Sequence, residues 1–546
     1  IRLSLVGSEM CIRDRHCGDG PFANSRLKNW SLMRSPSKST DRSVEGSVGG
    51  QRRAPTAIVI GTGFGGLAAA IRLSVKGYAV QMVEKLDAPG GRAYVHKQDG
   101  FTFDAGPTII TLPHLIEELF TLCGEDMKDH VDLRLMAPFY RIRFSDGTHF
   151  DYSNNDDAML EQIARISPED VEGFKRLMRA SEQCFQLGFV ELGMVPFETF
   201  GDVVKAMPNL IRMKAWRTIY SLVAQHIKHP KLRIVMSFHP LLIGGNPYSV
   251  TCVYALIHSL ERRWGVHSAM GGTGAIVNAL VKLLEGRKVP IRYNAPVTRI
   301  CVTDGRATGV ELENGDVLNA DIVVSNGDAA WTYRHLVEPQ YRRHWTDRRI
   351  AKGKYSSGLF VWYFGTNRRY EDVPHHMMVL GPRYKGLLQD IFKNHTLSED
   401  FSLYLYRPTA TDPSLAPPGC DSFYVLSVVP NLSSGTDWPA VSAQYQDAIA
   451  GALEASVLPD LRQHVVSSRV TTPQDFQDRL WSYKGAGFGL EPILIQSAWF
   501  RPHNRSEDVA GLYMVGASSQ PGAGVPSVLM SAKMLEQVVP HVKSYA

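Results

Sequence analysis

The sequence predicts an α/β fold: a parallel sheet with helices, interleaved with a mixed-sheet region and a largely helical insertion. Three observations carry that expectation. A β-branched run, Ala57-Ile58-Val59-Ile60, leads directly into Gly61-Thr62-Gly63-Phe64-Gly65-Gly66, as a buried parallel strand leads into a tight turn. Leu67, Ala70, Ile71 and Val75 then recur at helical spacing until Gly77, a residue suited to end a helix. A second apolar run, Ala79 to Val83, ends at Glu84. Strand, helix and strand in that order make a β-α-β unit of the Rossmann-like kind.

Composition sets the bounds. At 546 residues the chain is too long for a small single-core module, and 44% hydrophobic, 21% charged and 10% aromatic residues is globular content. With 59 Lys/Arg against 54 Asp/Glu the net charge is only +5, too balanced for a protein that lives on nucleic-acid phosphates. Seven scattered cysteines without a Cys-x-x-Cys pair argue against a disulfide framework or a zinc site. No apolar run reaches the ~18 to 20 residues of a bilayer-spanning helix, so any membrane is met from one side.

Residues 1–54, with a Ser/Arg-rich stretch from Ser31 to Ser47, are expected to be a disordered or non-native leader. A plastid transit peptide is the alternative, weakened by Asp19, Asp41 and Glu45. Residues 55–150 are expected to form the first part of the nucleotide-binding domain. Residues 151–264 read as a helical insertion, with apolar residues at three and four spacing through Phe174, Leu177, Cys184 and Leu187. The nucleotide domain resumes over 265–330, with strands expected at Val289 to Tyr293, Val297 to Val302, Ala307 to Leu312 and Ile322 to Val324, and turns at Asp304-Gly305 and Asn314-Gly315. A mixed sheet is expected over 331–504, with strands at Leu359 to Phe364, Phe401 to Tyr406 and Phe423 to Val429. Residues 505–546 return to the nucleotide domain through Leu512 to Val515 and a final helix.

In the β-α-β unit Gly61 permits the tight turn, Gly63 lets backbone approach a pyrophosphate, and Gly66 allows helix to pack closely on strand. The helix start offers free N–H groups to phosphate. Glu84, 23 residues after Gly61, stands where a carboxylate accepts hydrogen bonds from ribose hydroxyls. In Pro89-Gly90-Gly91-Arg92 two glycines let the chain pass close to a ligand while Arg92 supplies a fixed cation for phosphate or a flavin oxygen. Near the C-terminus Gly516, Gly522 and Gly524 flank Ser518-Ser519-Gln520-Pro521, and Pro526 opens a helix. Donors there would stabilise negative charge on a reduced flavin; taken alone, the segment reads better as a ligand-free strand-to-helix turn, and the flavin reading overtakes it only beside the N-terminal glycine motif.

Gly61 to Gly66, Gly90-Gly91-Arg92 and Phe103-Asp104-Ala105-Gly106-Pro107 together resemble the flavin-containing amine oxidase superfamily, specifically the bacterial and fungal type phytoene desaturases of carotenoid synthesis. Leu241 to Pro247, Gly271-Gly272-Thr273-Gly274, Ser497 to Pro502 and Val515 through Pro526 extend the likeness, which runs from about Ala57 to the C-terminus. It implies non-covalent FAD, peripheral membrane association on the cytoplasmic face, and phytoene and its desaturated intermediates as substrates. The implied reaction inserts conjugated double bonds stepwise, up to lycopene or a nearby product, with oxygen or a quinone as electron acceptor. The implied cofactor-binding residues are Gly61, Gly63, Gly65, Gly66, Glu84, Lys85, Gly91, Arg92, Val297, Asn326, Gly516, Gly522, Gly524 and Pro526. Val297 would lie near the adenine, and Asn326 would end a strand returning to the cofactor. In similar desaturases an acid and a base at the positions of Asp202 and Lys205 are suspected of proton handling or charge stabilisation; on a helix the two share a face, and a surface ion pair is the plainer account.

Gly201 to Val235 holds seven Lys/Arg against the single acid Asp202, with Leu210, Ile211, Met213, Trp216, Ile219, Tyr220, Leu222 and Val223 interleaved. Such a basic amphipathic segment suits an anionic lipid surface and is the expected entrance for a hydrocarbon; a solvated basic face is the alternative. Phe360 to Phe364 and Leu241 to Gly245 are candidate tunnel walls or plain core. His375-His376, after Pro374, is expected to be a solvated loop pair. Other readings are a carotenoid isomerase, a ketolase or a diapocarotenoid desaturase of the same flavin fold, or a non-catalytic flavin- or lipid-binding protein.

Overall fold

A computed structural model describes residues 53–545, so nearly all of the expected leader lies outside the described residues. A five-stranded parallel sheet forms in the order Leu512–Met514, Ile322–Ser325, Thr56–Ile60, Ala79–Val83 and Ile291–Arg292. Its strands come from three widely separated stretches of chain. Ile58, Val59, Val323 and Val324 are all buried, which is why these runs are continuously apolar rather than alternating.

Ile291–Arg292 is shorter than the expected Val289 to Tyr293. Pro290 has no N–H and contributes only its carbonyl, which accepts from Met82 N at 2.9 Å. Val297–Thr303 and Arg306–Leu312 form, with Val317–Asn319, a separate antiparallel sheet. Asp304 and Gly305, at φ of 49° and 74°, make its first hairpin turn.

The helix Phe64–Lys76 ends at Gly77, whose φ is 99°. It lies against the last helix, Val525–Val538, and glycine makes the approach: a Cβ on Gly65 would stand 3.0 Å from Val528 Cγ1 and 3.1 Å from Gly516 Cα. A Cβ on Gly66 would lie 2.0 Å from the carbonyl oxygen of Gly61, so helix and turn meet only with glycine there.

The second layer is a seven-stranded mixed sheet in the order Val465–Thr471, Gly358–Thr366, Asp421–Val429, Leu403–Tyr406, His376–Val379, Tyr140–Arg143 and His149–Tyr152. Strand alternation sorts the aromatic run Phe360 to Phe364. Phe360, Trp362 and Phe364 pack with Trp438 and Ile449 of the helix Trp438–Glu454, whereas Leu359, Val361 and Tyr363 share the opposite face with Tyr406 and Tyr424. The hairpin Val95–Gln98/Phe101–Asp104 turns on Asp99-Gly100, a two-residue signal present in the sequence.

The expectation for His375-His376 is corrected. His376 opens an interior strand of the mixed sheet, and the two side chains are buried, at 7% and 1% exposure. Two adjacent polar residues after a proline give no sign that a strand between two others begins there. Over the expected insertion the chain forms Asp156–Ile166, Val171–Phe185, Phe200–Arg212, Ile219–His226, Pro230–Val235 and Leu256–Trp264. Among the described residues no helix is long and apolar enough to cross a membrane.

Gly66→Ala is expected to cost about 3 kcal/mol or more, because the added methyl meets backbone rather than a side chain that can yield. Chemical denaturation of the purified variant measures it, against Gly286→Ala at the end of the helix Thr273–Gly286, where open space surrounds the added atom.

Candidate functional site

One cavity of about 880 Å³ runs from the glycine-rich turn to the protein surface. At one end it is lined by Gly61 to Gly65, Glu84, Arg92, Asn326 and Gly522 to Pro526. Its middle is walled by Leu359, Val361, Leu426 and Met378 from the mixed sheet, facing Leu241, Leu242 and Ile243. Phe200, Met207, Ile211, Trp216, Ile495 and Phe500 stand at the surface end.

At the inner end Gly61, at φ of 89°, donates its N–H to Val83 O at 2.8 Å. Glu84 is buried, and its carboxylate ties this turn to the second strand. One oxygen accepts from Thr62 N at 2.7 Å and Thr62 Oγ1 at 2.6 Å; the other accepts from Leu86 N at 2.9 Å. Glu84 therefore fixes the turn as well as facing the cavity. Two helices start at this end, Phe64–Lys76 after Gly63 and Val525–Val538 after Gly524. Neither has a side-chain cap or an acid in its first turn. Both leave N–H donors and a positive dipole end free for an anion. Pro526 lies in the first turn of the second helix, where a missing N–H costs nothing.

Arg92 donates from Nη2 to Ser482 Oγ at 3.0 Å, while its Nε is buried without a partner among the described residues. Burial pulls the Arg92 guanidinium below its ordinary range, and Asp328 opposes that. Burial likewise raises Asp328, which accepts from Trp331 N at 3.0 Å and Ser518 Oγ at 2.9 Å. Lys85 donates to Asp478 O at 2.5 Å and lies 4.2 Å over the Trp481 ring, with burial lowering its pKa. Val297 is buried and lines the cavity beside Ala295. Gly91, at φ of 55°, exposes its backbone to the same space. Glycine backbone, two uncapped helix starts and an unpaired guanidinium nitrogen fit the diphosphate of a dinucleotide cofactor.

Three contributors go beyond the residues singled out from sequence. Thr62 occupies a variable position of the glycine motif, and Asp328 lies two residues after Asn326. Arg501 is 1% exposed and holds the C-terminal turn: Nε donates to Ser519 O at 3.1 Å and Nη2 to Ala517 O at 2.8 Å. Its signal in the sequence is the stretch Ser497 to Pro502, which contains it.

Asp202 and Lys205 stand apart from this end. They belong to the helix Phe200–Arg212, whose Val203, Ala206 and Leu210 face the cavity. Asp202 closes a capping box, accepting from Thr199 N at 3.0 Å and Thr199 Oγ1 at 2.8 Å. Lys205 Nζ is 3.5 Å from Asp202 Oδ1, with 83% of its side chain exposed. Those bonds to Thr199 and Lys205 hold the Asp202 carboxyl below its usual range. Neither residue lines the cavity.

The basic segment divides in two. Ile211 and Trp216 are 55% and 62% exposed, whereas Ile219, Leu222 and Val223 are core. Lys228 pairs with Glu169 and Lys231 with Asp146, so the exposed positive charge is smaller than the sequence count. Arg212 and Lys214 stay exposed beside the mouth.

The sequence profile of flavin containing amine oxidoreductases matches residues 64–534. The chain is 46% identical over 492 residues to a neurosporene-forming phytoene desaturase of Cereibacter sphaeroides, covering 89% of this chain and 95% of that one. It is 46% identical over 477 residues to a lycopene-forming phytoene desaturase of Pseudescherichia vulneris, covering 87% and 97%. Among solved structures, putrescine oxidase bound to putrescine shares the fold, with a TM-score of 0.60 at 13% identity over 88% of this chain and 97% of that one. The cofactor is FAD, and Glu84→Gln, which removes a buried charged acceptor, is expected to weaken its binding about ten-fold or more, read by flavin fluorescence titration. Asp202→Ala, which opens the capping box, is expected to cost about 1 kcal/mol in thermal unfolding. From the glycine turn to the final helix, this chain belongs to the flavin containing amine oxidoreductase family.

Proposed function

We propose that this chain is an FAD-dependent phytoene desaturase of carotenoid biosynthesis, working from one face of a membrane and adding conjugated double bonds stepwise to a C40 polyene. The observation that carries this reading is the continuity of the cavity: a polar cradle for the cofactor passes without a wall into an apolar space with an apolar mouth. The relatives named above desaturate phytoene and span nearly the whole chain. Both neurosporene- and lycopene-forming relatives are equally similar, so the number of steps is read from the products.

Bound FAD would supply the two-electron acceptor for hydride leaving an allylic carbon. The chain does the rest. Leu359, Val361 and Leu426, on one face of the mixed sheet, hold the polyene by dispersion and exclude water. The uncapped start of Val525–Val538 favours negative charge at the inner end. The tyrosine hydroxyls of Tyr404 and Tyr424 bring polarity to an otherwise greasy wall. Oxygen or a quinone is the proposed onward electron acceptor.

Membrane association is supported by the rim of the mouth. Phe200, Val204, Met207 and Ile211 fall on one stripe of their helix, and all are exposed, as are Trp216, Ile495 and Phe500. A hydrocarbon leaving a bilayer through such a rim never crosses water. Lys205, Arg212 and Lys214 beside it suit anionic headgroups. Asp202 is assigned to the cap that holds this lip in shape.

Purified holoprotein on phytoene-bearing liposomes is expected to produce coloured polyenes, resolved by chromatography; flavin-loaded protein that leaves phytoene unchanged rejects the reading. Trp216→Ser combined with Ile495→Ser is expected to reduce sedimentation with anionic liposomes about ten-fold, by removing inserted apolar area.

A further inference from the structure

Removing hydride and proton from neighbouring carbons leaves a proton to be disposed of inside an apolar cavity. The mixed sheet carries a chain of buried polar groups for which the cofactor cradle has no use. Its strand register places Tyr363, Tyr424, Tyr406 and His376 directly opposite one another across four strands, on the cavity face. Tyr404, one pleat further on, lines the cavity together with Tyr424 and Thr108.

These groups are connected. Tyr424 OH lies 3.2 Å from Gly106 O and 2.8 Å from Thr108 Oγ1. Thr108 Oγ1 is 3.0 Å from Tyr404 OH, which is 2.7 Å from His376 Nδ1. Each hydroxyl has a single proton, so the chain has two self-consistent orientations. In one, His376 Nδ1 donates to Tyr404, Tyr404 to Thr108, Thr108 to Tyr424, and Tyr424 to the Gly106 carbonyl. In the other, Tyr424 donates to Thr108, Thr108 to Tyr404 and Tyr404 to His376 Nδ1, the Gly106 carbonyl receives no proton from the chain, and the proton of the ring sits on Nε2.

Beyond His376 the path continues outward. His375 packs edge-on against His376, with ring centroids 4.5 Å apart. The Nε2 atoms of both rings are buried without a partner among the described residues. His375 lines a second, polar pocket of about 620 Å³ with Arg134, Glu371, Arg407 and Thr411, and Arg134 and Glu371 are exposed. Burial keeps both imidazoles neutral, His375 titrating at about 3 and His376 well below the ordinary histidine value. Neutral imidazole can accept a proton at one nitrogen while releasing another.

We propose that Tyr424, Thr108, Tyr404 and His376 form a proton-exit relay from the substrate cavity to the polar pocket at His375. The proposal rests on the desaturase reading and deepens it. The C–H bond next to the site of hydride loss breaks, its electron pair becomes the new double bond, and its proton bonds to a cavity-lining tyrosine oxygen. Each hydroxyl passes its own proton on, His376 Nδ1 gains one, and the Nε2 proton leaves toward His375 and solvent. Hydride and proton together account for the two hydrogens lost per step. The relay ends in the first orientation and resets by rotation of the hydroxyls and proton exchange at the ring. These four side chains carry the proton between substrate and water, and none of them holds the cofactor.

Tyr404→Phe keeps the wall and cuts the chain on both sides; Thr108→Val removes the links to Tyr424 and Tyr404 and leaves only Tyr404 bonded to His376. With phytoene liposomes under anaerobic single turnover, Tyr404→Phe is expected to slow flavin bleaching about 100-fold, the scale of lost proton transfer. The solvent deuterium isotope effect on that step is expected to change while the phytoene concentration giving half-saturation stays put. A second readout needs no turnover: a high-resolution crystal structure of the wild-type holoprotein is expected to show a water bridging His375 Nε2 and His376 Nε2. Bleaching at the wild-type rate in Tyr404→Phe, or a dry gap between the rings, overturns the relay and leaves the desaturase assignment standing. Wild-type protein that binds flavin but never bleaches with phytoene overturns both.

Discussion

The side chain of Asn326 is the point about which the cofactor end is built. Added Cβ atoms would stand 3.0 Å from its amide nitrogen at Gly63, and 2.5 and 2.6 Å from its amide oxygen at Gly65 and Gly516. Gly66 and Gly61 complete the ring of close neighbours. Three remote parts of the chain therefore converge on one amide, and glycine at each contact is the condition for convergence. Asn326 itself is fixed because its N–H donates to Ile60 O at 2.9 Å, continuing the pairing of the two central strands. Everything that faces the cofactor follows from that junction, including the direction of both free helix starts.

Much of this end was legible because its signals are local. Gly61 to Gly66, Glu84, and Gly91-Arg92 lie within one β-α-β stretch, where spacing and backbone requirements identify each residue. Asn326 and Gly516 to Pro526 could be joined to it only through family resemblance, since no local pattern says which distant turn will close a sheet. The opposite end was far less readable. Alternation within Phe360 to Phe364 assigns residues to two faces without saying which face meets a cavity, and the same is true of Tyr404 and Tyr424. The burial of His375-His376 is not legible in the sequence because it depends on strands that lie elsewhere in the chain. The charge count over Gly201 to Val235 misled for a similar reason: Glu169 and Asp146, partners of Lys228 and Lys231, come from outside the segment.

Several polar groups behind the apolar wall form connected sets. Tyr140 OH donates to Glu261 Oε1 at 2.7 Å, and Glu261 Oε2 is 3.1 Å from His239 Nε2. Tyr152 OH is 2.6 Å from His258 Nδ1. Such groups are tolerable in low dielectric only when they satisfy one another. Asp104, whose carboxyl is pushed up to about 6 by burial, accepts from Tyr406 OH at 3.2 Å and sits beneath the same aromatic ladder. The wall is thus greasy toward a hydrocarbon and hydrogen-bonded behind it.

The parallel sheet carries a consequence for biosynthesis of the polypeptide. Its central strand, Thr56–Ile60, is flanked on one side by Ile322–Ser325, and the edge beyond that waits for Leu512–Met514. On the ribosome the nucleotide-binding half must remain unfinished until Leu512–Met514 emerges, since loop closure over such separations is slow and entropically costly. During that interval sheet edges and greasy lining lie open together. Chaperones and early capture of flavin are therefore expected to govern yield more than the stability of the finished molecule does.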